Sequence, residues 1–258
     1  MSEAPEETWD SIGTAGVQVV QRRRGYRFTL DAVLLAAFAA GREPDPGPWL
    51  ELCAGSGVIS LLLVRQFGVG AIDALELQAQ VHARLVRNVA ANGCEATVRP
   101  RLGDLRAHPW PPGHYRHVVA NPPYRVVGAG MRSPDPERAL SKEELACTLA
   151  DVVAASRHAL TPAGRLSLVY PAARLPEALG QLAAQRMTPR ALRFVHARAG
   201  APANHVLVRA VRDDAGPLEV QAPWFVHGDV PGSYGPELAA LLDPPRSSQV
   251  PAAPPLPR

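Results

Sequence analysis

The stretch LELCAGSGVISLLL, residues 50–63, joins a short apolar run to a longer one through two glycines. The run that opens at Pro48 has the length of a buried strand, and the run from Val58 onward has the length and spacing of a helix. Gly55 and Gly57 fall in the turn between them, where a glycine adopts φ values that other residues avoid and lets a ligand approach the backbone closely. Strand, glycine turn and helix in that order form the opening unit of an α/β ligand-binding sheet, although a lone Gly-x-Gly is also compatible with a purely structural turn.

Outward from this unit, apolar runs alternate with longer amphipathic segments, the pattern of βαβ units. Strands are expected at 48–53, 71–77, 96–102, 117–122, 164–171, 190–198 and 205–212, and helices at 29–40, 57–67, 78–92, 142–160 and 174–186, the last two separated by the TPAG stop at 161–164. The fold class is therefore α/β, a seven-stranded, doubly wound, mostly parallel sheet. Only AGAPAN separates the last two strands, so they form an antiparallel hairpin at the sheet edge. Residues 1–24 are expected to be a flexible extension, 25–242 the folded domain, and the Pro-rich stretch 243–258 a disordered tail.

Composition narrows the function classes. The opening MSEAPEETWD is polar and acidic, unlike a secretory signal, and LDAVLLAAFAA is too short to span a bilayer. Cys53, Cys94 and Cys147 are too few and too scattered for a disulfide framework or a zinc site, which makes a reducing cytoplasm the expected compartment. His114 and His117 lack a third ligand nearby, so no metal is expected. The net charge is only +3, but QRRRGYR at 21–27 gathers four arginines around a tyrosine, a composition suited to phosphate and base contacts as well as to a solvated basic turn. No signal for an oligomeric state is present.

The chemistry concentrates at strand ends, where an open parallel sheet binds its ligands. The second strand closes with Glu76, nineteen residues after Gly57, the position of a carboxylate that binds ribose hydroxyls. Asp104 closes the third strand and can accept from an exocyclic amine. The third glycine of a pyrophosphate-binding turn is replaced by Ser60 and no P-loop lysine follows, which disfavours dinucleotides and nucleoside triphosphates. S-adenosylmethionine (SAM) fits better. The fourth strand then runs into ANPPYRVVG, residues 120–128, where two prolines stiffen a turn carrying Asn121 and Tyr124.

Glycine turn, ribose acid, adenine acid and Asn-Pro-Pro-Tyr in this order resemble the class I SAM-dependent amino-methyltransferases, over roughly residues 25–212. GYRFTLDAVLLAAF before the turn and PGSYGPELAALL at 231–242 are similar to segments of the bacterial tRNA-valine adenine N6-methyltransferases and their relatives. The resemblance implies SAM as cofactor, RNA, in particular tRNA, as partner, and no metal or membrane. It assigns the cofactor pocket to Phe28, Thr29, Asp31, Glu51, Cys53, Ala54, Gly55, Gly57, Glu76, Leu77, Asp104, Leu105 and Asn121. It also assigns catalysis to Asn121, Pro122 and Tyr124 and base stacking to Tyr124, and the arginines expected near the pocket mouth, Arg22, Arg23, Arg24 and Arg125, are the candidates for RNA phosphate contacts. Thr29 or Asp31 equally serves as the N-cap of a core helix burying Leu30, Val33, Leu34 and Phe38. Cys53 departs from the family, which has glycine there, and the arginine-rich loop Arg125–Arg138 does not match its substrate segment. Two other functions compete: a protein glutamine N5-methyltransferase, whose carboxamide presents the same kind of amine, and a non-catalytic SAM- or RNA-binding module. Against the first stands the helical domain such enzymes carry before the fold, since about 48 residues precede the first strand here. Against the second stands the intact Asn121.

Overall fold

The computed structural model describes residues 7–22, 30–41, 45–124 and 147–242. In chain order the elements are β1 (Glu7–Ile12), β2 (Val17–Arg22), α1 (Leu30–Ala40), β3 (Trp49–Leu52), α2 (Val58–Arg65), β4 (Ile72–Glu76), α3 (Ala79–Ala91), β5 (Val98–Leu102) and β6 (Tyr115–Ala120). Then come α4 (Leu149–Ala159), β7 (Leu160–Pro171), α5 (Leu175–Ala184), β8 (Met187–His196), β9 (Ala203–Arg212), β10 (Glu219–Phe225) and α6 (Pro236–Leu242). Short 3₁₀ turns at Leu105–Ala107 and Ala172–Arg174 follow β5 and β7.

Eight strands form one sheet in the order β10-β8-β9-β7-β6-β3-β4-β5. The pairings β3 with β4 and β6, β4 with β5, and β6 with β7 are parallel, and β9 runs antiparallel between β7 and β8. This is the Rossmann-like, doubly wound arrangement, with all seven expected strands present. Two corrections follow. The β8–β9 hairpin is not the sheet edge, because β10 adds an eighth strand parallel to β8. Pro223 lies inside β10, between the shifted pairs at Gln221 and Trp224, and a proline in a run argues against a strand unless it lies at an edge or a bulge, as here. In addition, β7 starts at Leu160, so the TPAG segment belongs to an irregular strand start, with Ala163 at φ 60°.

A third correction concerns the N-terminus. Residues 7–22 form an antiparallel hairpin instead of a flexible extension, and Val17, Val19 and Val20 are fully buried. Its outer edge is closed by side chains of α3. Asn92 accepts from the Gln18 N–H and donates to its carbonyl, at 2.9 and 2.7 Å, and Asn88 does the same for Val20, at 2.7 and 3.4 Å. Two asparagines one helical turn apart thus stand in for a neighbouring strand and satisfy polar groups that would otherwise be costly to bury. Residues 243–258, expected to be disordered, lie outside the described residues.

Helices α1, α2 and α3 cover one face of the sheet and α4 and α5 the other. Helix α1 is apolar all round because it is enclosed, with Val33, Leu34 and Phe38 at most 4% exposed. The terminal helix α6 docks through the buried Leu238. Among the described residues no helix is long and apolar enough to cross a membrane.

Candidate active site

Strand order reverses between β3 and β6: from β3 the chain winds outward through β4 and β5, and from β6 through β7. A crevice opens at such a point beyond the carboxyl ends of the strands. There the glycine turn after β3 meets Asn121 after β6, and one cleft is lined by Ala32, Glu51, Cys53, Ala54, Ser56, Val58, Ile59 and Asn121.

The turn is held in a conformation few residues tolerate. Gly55 and Gly57 have φ of 57° and 83°, and Cys53 has φ 58°. At Cys53 the family's glycine would be relaxed, whereas an L-residue costs about 1–2 kcal/mol in this region. The Cys53 thiol lies 3.8 Å from that of Cys147, just before α4. A side chain at Gly57 would be forbidden on two counts, since its Cβ would sit 2.2 Å from Leu85 Cδ1 of α3.

Two buried carboxylates flank the turn. Glu51 is 1% exposed and accepts from the Ser60 backbone N–H at 2.9 Å and from the Ser60 hydroxyl. Burial outweighs those bonds and pushes its pKa up to about 8. Glu76, 6% exposed, accepts from the N–H groups of Gly55 at 2.9 Å and Gln78 at 2.8 Å. Burial raises its pKa too, against the pull of the Gln78, Gly55 and Leu77 amides. Asp104 differs: it ends in a fork with Arg106, with contacts of 3.0 and 2.6 Å, and this partner holds its pKa below the usual carboxylate range.

In the Asn-Pro-Pro-Tyr turn both prolines are buried. The Asn121 amide makes no hydrogen bond to any described residue. Tyr124 packs edge-on against Tyr170 (6.5 Å) and His205 (5.9 Å), and its carbonyl accepts from Arg174 Nη1 at 2.6 Å. His205 in turn lies 3.5 Å from Asp31 in the first turn of α1.

A family model described as the methyltransferase small domain matches residues 31–185. The chain belongs to this family. It is a SAM-dependent N-methyltransferase. It is 33% identical over 179 residues to the tRNA1(Val) (adenine(37)-N6)-methyltransferase of Aeromonas salmonicida, covering 69% of this chain and 73% of that one. The enzyme of the same name from Aeromonas hydrophila is 32% identical over 183 residues, covering 70% and 75%. The ribosomal protein uL3 glutamine methyltransferase of Bordetella pertussis is 31% identical over 114 residues, only 39% and 38% of the two chains. Among solved structures, a predicted O-methyltransferase of Agrobacterium tumefaciens superposes with a TM-score of 0.64 at 18% identity, over 84% of this chain and all of its own. The fold is also shared with the geranyl diphosphate C-methyltransferase of Streptomyces coelicolor, solved with S-adenosyl-L-homocysteine, at TM-score 0.51 and 15% identity over 70% and 76%.

In this methyltransferase Glu51, Cys53, Ala54 and Asn121 line the crevice, Gly55 and Gly57 shape its turn, and Glu76 reaches that turn through the Gly55 N–H. Leu77 is 41% exposed beyond β4, and Leu105 is buried after Asp104 beyond β5. Arg22 ends β2 opposite Glu7. Phe28, Thr29, Arg23, Arg24 and Arg125 lie outside the described residues. His117 is buried in β6, stacked on Trp49 at 4.2 Å, and among the described residues no group of three side chains could hold a metal. Sequence reading missed the role of Ser60, which holds Glu51, and missed Arg174 and His205, which support Tyr124. It also missed Asn88, whose Nδ2 donates to the Ser56 carbonyl at 2.9 Å while its Oδ1 binds Val20. Asn88 thereby ties the glycine turn to the N-terminal hairpin. An asparagine inside a helix with high amphipathicity is the one local signal for it.

Proposed function

We propose that this methyltransferase methylates N6 of an adenine in RNA, and specifically in a tRNA. The observation that carries the reading is the open Asn121 amide, held rigid by buried prolines at the switch point beside the glycine turn. The two Aeromonas relatives, named as tRNA adenine N6-methyltransferases over about 70% of this chain, support the choice of substrate. The uL3 glutamine enzymes fit the same turn but match far less of the chain.

SAM supplies a methyl group on a sulfonium, which needs neither a metal nor a covalent enzyme intermediate. The donor set suits it, because Glu51, a buried acid without a cationic partner among the described residues, borders the glycine turn. Glu76 would hold the ribose hydroxyls by charge-assisted bonds, Leu77 and Leu105 would flank the adenine, and Asp104 would reach its edge while paired to Arg106. An aromatic amine is a weak nucleophile because its lone pair is delocalised into the ring. The Asn121 side-chain oxygen and the Pro122 carbonyl can accept its two N–H groups, which favours a pyramidal nitrogen and stabilises the positive charge that develops there. Tyr124 offers a face for a base taken out of its stack. Positioning does the rest, at a near-attack distance of roughly 3–3.5 Å.

Glu51 makes cofactor binding pH-dependent. With its pKa near 8 in the free protein, the group is protonated at pH 7, and a cationic ligand favours the carboxylate. Binding must therefore expel a proton, and affinity should rise with pH between 6 and 7.5 by up to about tenfold per unit. Calorimetry at pH 7 in buffers of different ionisation enthalpy should show proton release in wild type and clearly less in Glu51→Gln. Equal proton counts in the two proteins would remove Glu51 from the cofactor site.

The function itself is tested by transfer of labelled methyl to unmodified bulk tRNA, followed by digestion to nucleosides. The expected product is N6-methyladenosine. A ring-nitrogen or ribose product, or label found only on protein glutamine, would overturn the reading.

A further inference from the structure

On the sheet face covered by α1 lies a second cavity, of about 640 Å³, lined among others by Phe38 and Gly41 at the end of α1, Arg209 of β9, Arg193 of β8, and Gln221 and Trp224 of β10. The pairing places these strand residues on one face: Arg209 lies opposite Ala191, and Arg193 opposite both Leu207 and Gln221. Gly41, Val220 and Ala222 form an exposed rim, so the cavity is open along the edge strand.

Its charge is unbalanced. Arg209 donates to the Phe38 carbonyl and lies 4.8 Å from the Phe38 ring centre. Arg193 is stacked at 4.3 Å on Trp224 and donates through Nε and Nη2 to Gln221 Oε1, at 3.0 and 2.8 Å. Neither guanidinium forms an ion pair with a described carboxylate. Glu219, the acid in the lining, contacts Gln221 at 3.4 Å. Arg165 adds a third positive charge on the same face, opposite Val211, and its carboxylate neighbour Asp45, at 3.8 Å, is held more closely by Arg116, at 2.9 Å. Burial lowers the Arg209 pKa, and repulsion from Arg165 and Arg193 lowers it further despite Glu219. The acids that act on these arginines, Glu219 and, at Arg193, Glu237 of α6, form no ion pair with them, so partly buried cations that repel one another remain costly, and an anion entering the cavity relieves that cost. The planar guanidinium of Arg193, fixed on an indole, leaves Nη1 free of a partner among the described residues, and such forks match phosphate oxygens.

We propose that this cavity binds a backbone phosphate of the RNA substrate, away from the target base. The proposal rests on the RNA reading above. The order β8-β9-β7-β6 puts three strand spacings between Arg193 and the Asn-Pro-Pro-Tyr turn, about 14 Å. The open rim suits a chain that continues past the site in both directions.

The test measures tRNA binding and methylation with the full-length protein. Arg193→Ala should weaken tRNA binding and raise its KM about tenfold, and should reduce the slope of log affinity against log salt by about 1. It should leave kcat, SAM affinity and methylation of a short oligonucleotide carrying the target adenine unchanged. Arg193→Lys, which keeps the charge, should recover part of the loss. Gln221→Ala, which removes the hydrogen-bond partner and keeps the charge, should cost much less than Arg193→Ala. If wild type methylates RNA and Arg193→Ala binds tRNA equally well, the phosphate site is wrong and the function stands. An equal loss in Gln221→Ala would mark a structural effect and also overturn the site. A wild-type protein that binds no tRNA would overturn the RNA reading, and this proposal with it.

Discussion

Asn121→Ala should bind SAM almost as wild type does and transfer methyl roughly 10²–10³-fold more slowly, the usual cost of losing one preorganised electrostatic partner. The separation follows from the geometry. Asn121 makes no hydrogen bond to any described residue, so its truncation strands no buried donor, and the turn keeps its shape through Pro122 and Pro123. Glu76 on β4 holds Gly55 and Ser60 holds Glu51 on β3, and neither bond depends on Asn121. Calorimetry for SAM and single-turnover methylation of unmodified tRNA measure the two effects separately. Tyr124→Ala should also slow transfer, by a loss of stacking on the order of 1–3 kcal/mol, and Tyr124→Phe should retain most activity because the ring makes the contact. A fully active Asn121→Ala protein would end the exocyclic-amine mechanism.

Glu76→Ala should weaken SAM binding tenfold or more, reflecting about 1.5–3 kcal/mol of charge-assisted bonding. Two losses combine. The carboxylate that would hold the ribose is gone, and the N–H groups of Gly55 and Gln78 lose their acceptor in a buried site. Glu76→Gln keeps one acceptor oxygen and should fall between the two. Unchanged affinity in Glu76→Ala, measured by calorimetry, would exclude the residue from the cofactor site.

The central sheet was legible because its signals are local. Alternation of apolar runs sets strand and helix, glycines mark the turn that only they accept, and Glu76 and Asn121 stand where runs of strand period stop. Even the departure at Cys53 was visible, although its positive φ was not. Asp104 was placed correctly at a strand end, yet its fork with Arg106 depends on the 3₁₀ turn that follows β5.

By itself the sequence determined the α/β class, the order of the strands along the chain and the position of the crevice at their carboxyl ends, since each follows from residues within a turn or two of one another. Contacts across the chain were decided only by the tertiary structure. The hairpin of residues 7–22 is stable because Asn88 and Asn92, 68 and 74 residues away, satisfy its open edge. Strand β10 exists because β8 offers it a ladder, which no period within EVQAPWF announces. The arginines at 193 and 209 come to line one cavity only when two antiparallel strands bring them to one face, because a charge is costly or harmless according to what folding places beside it.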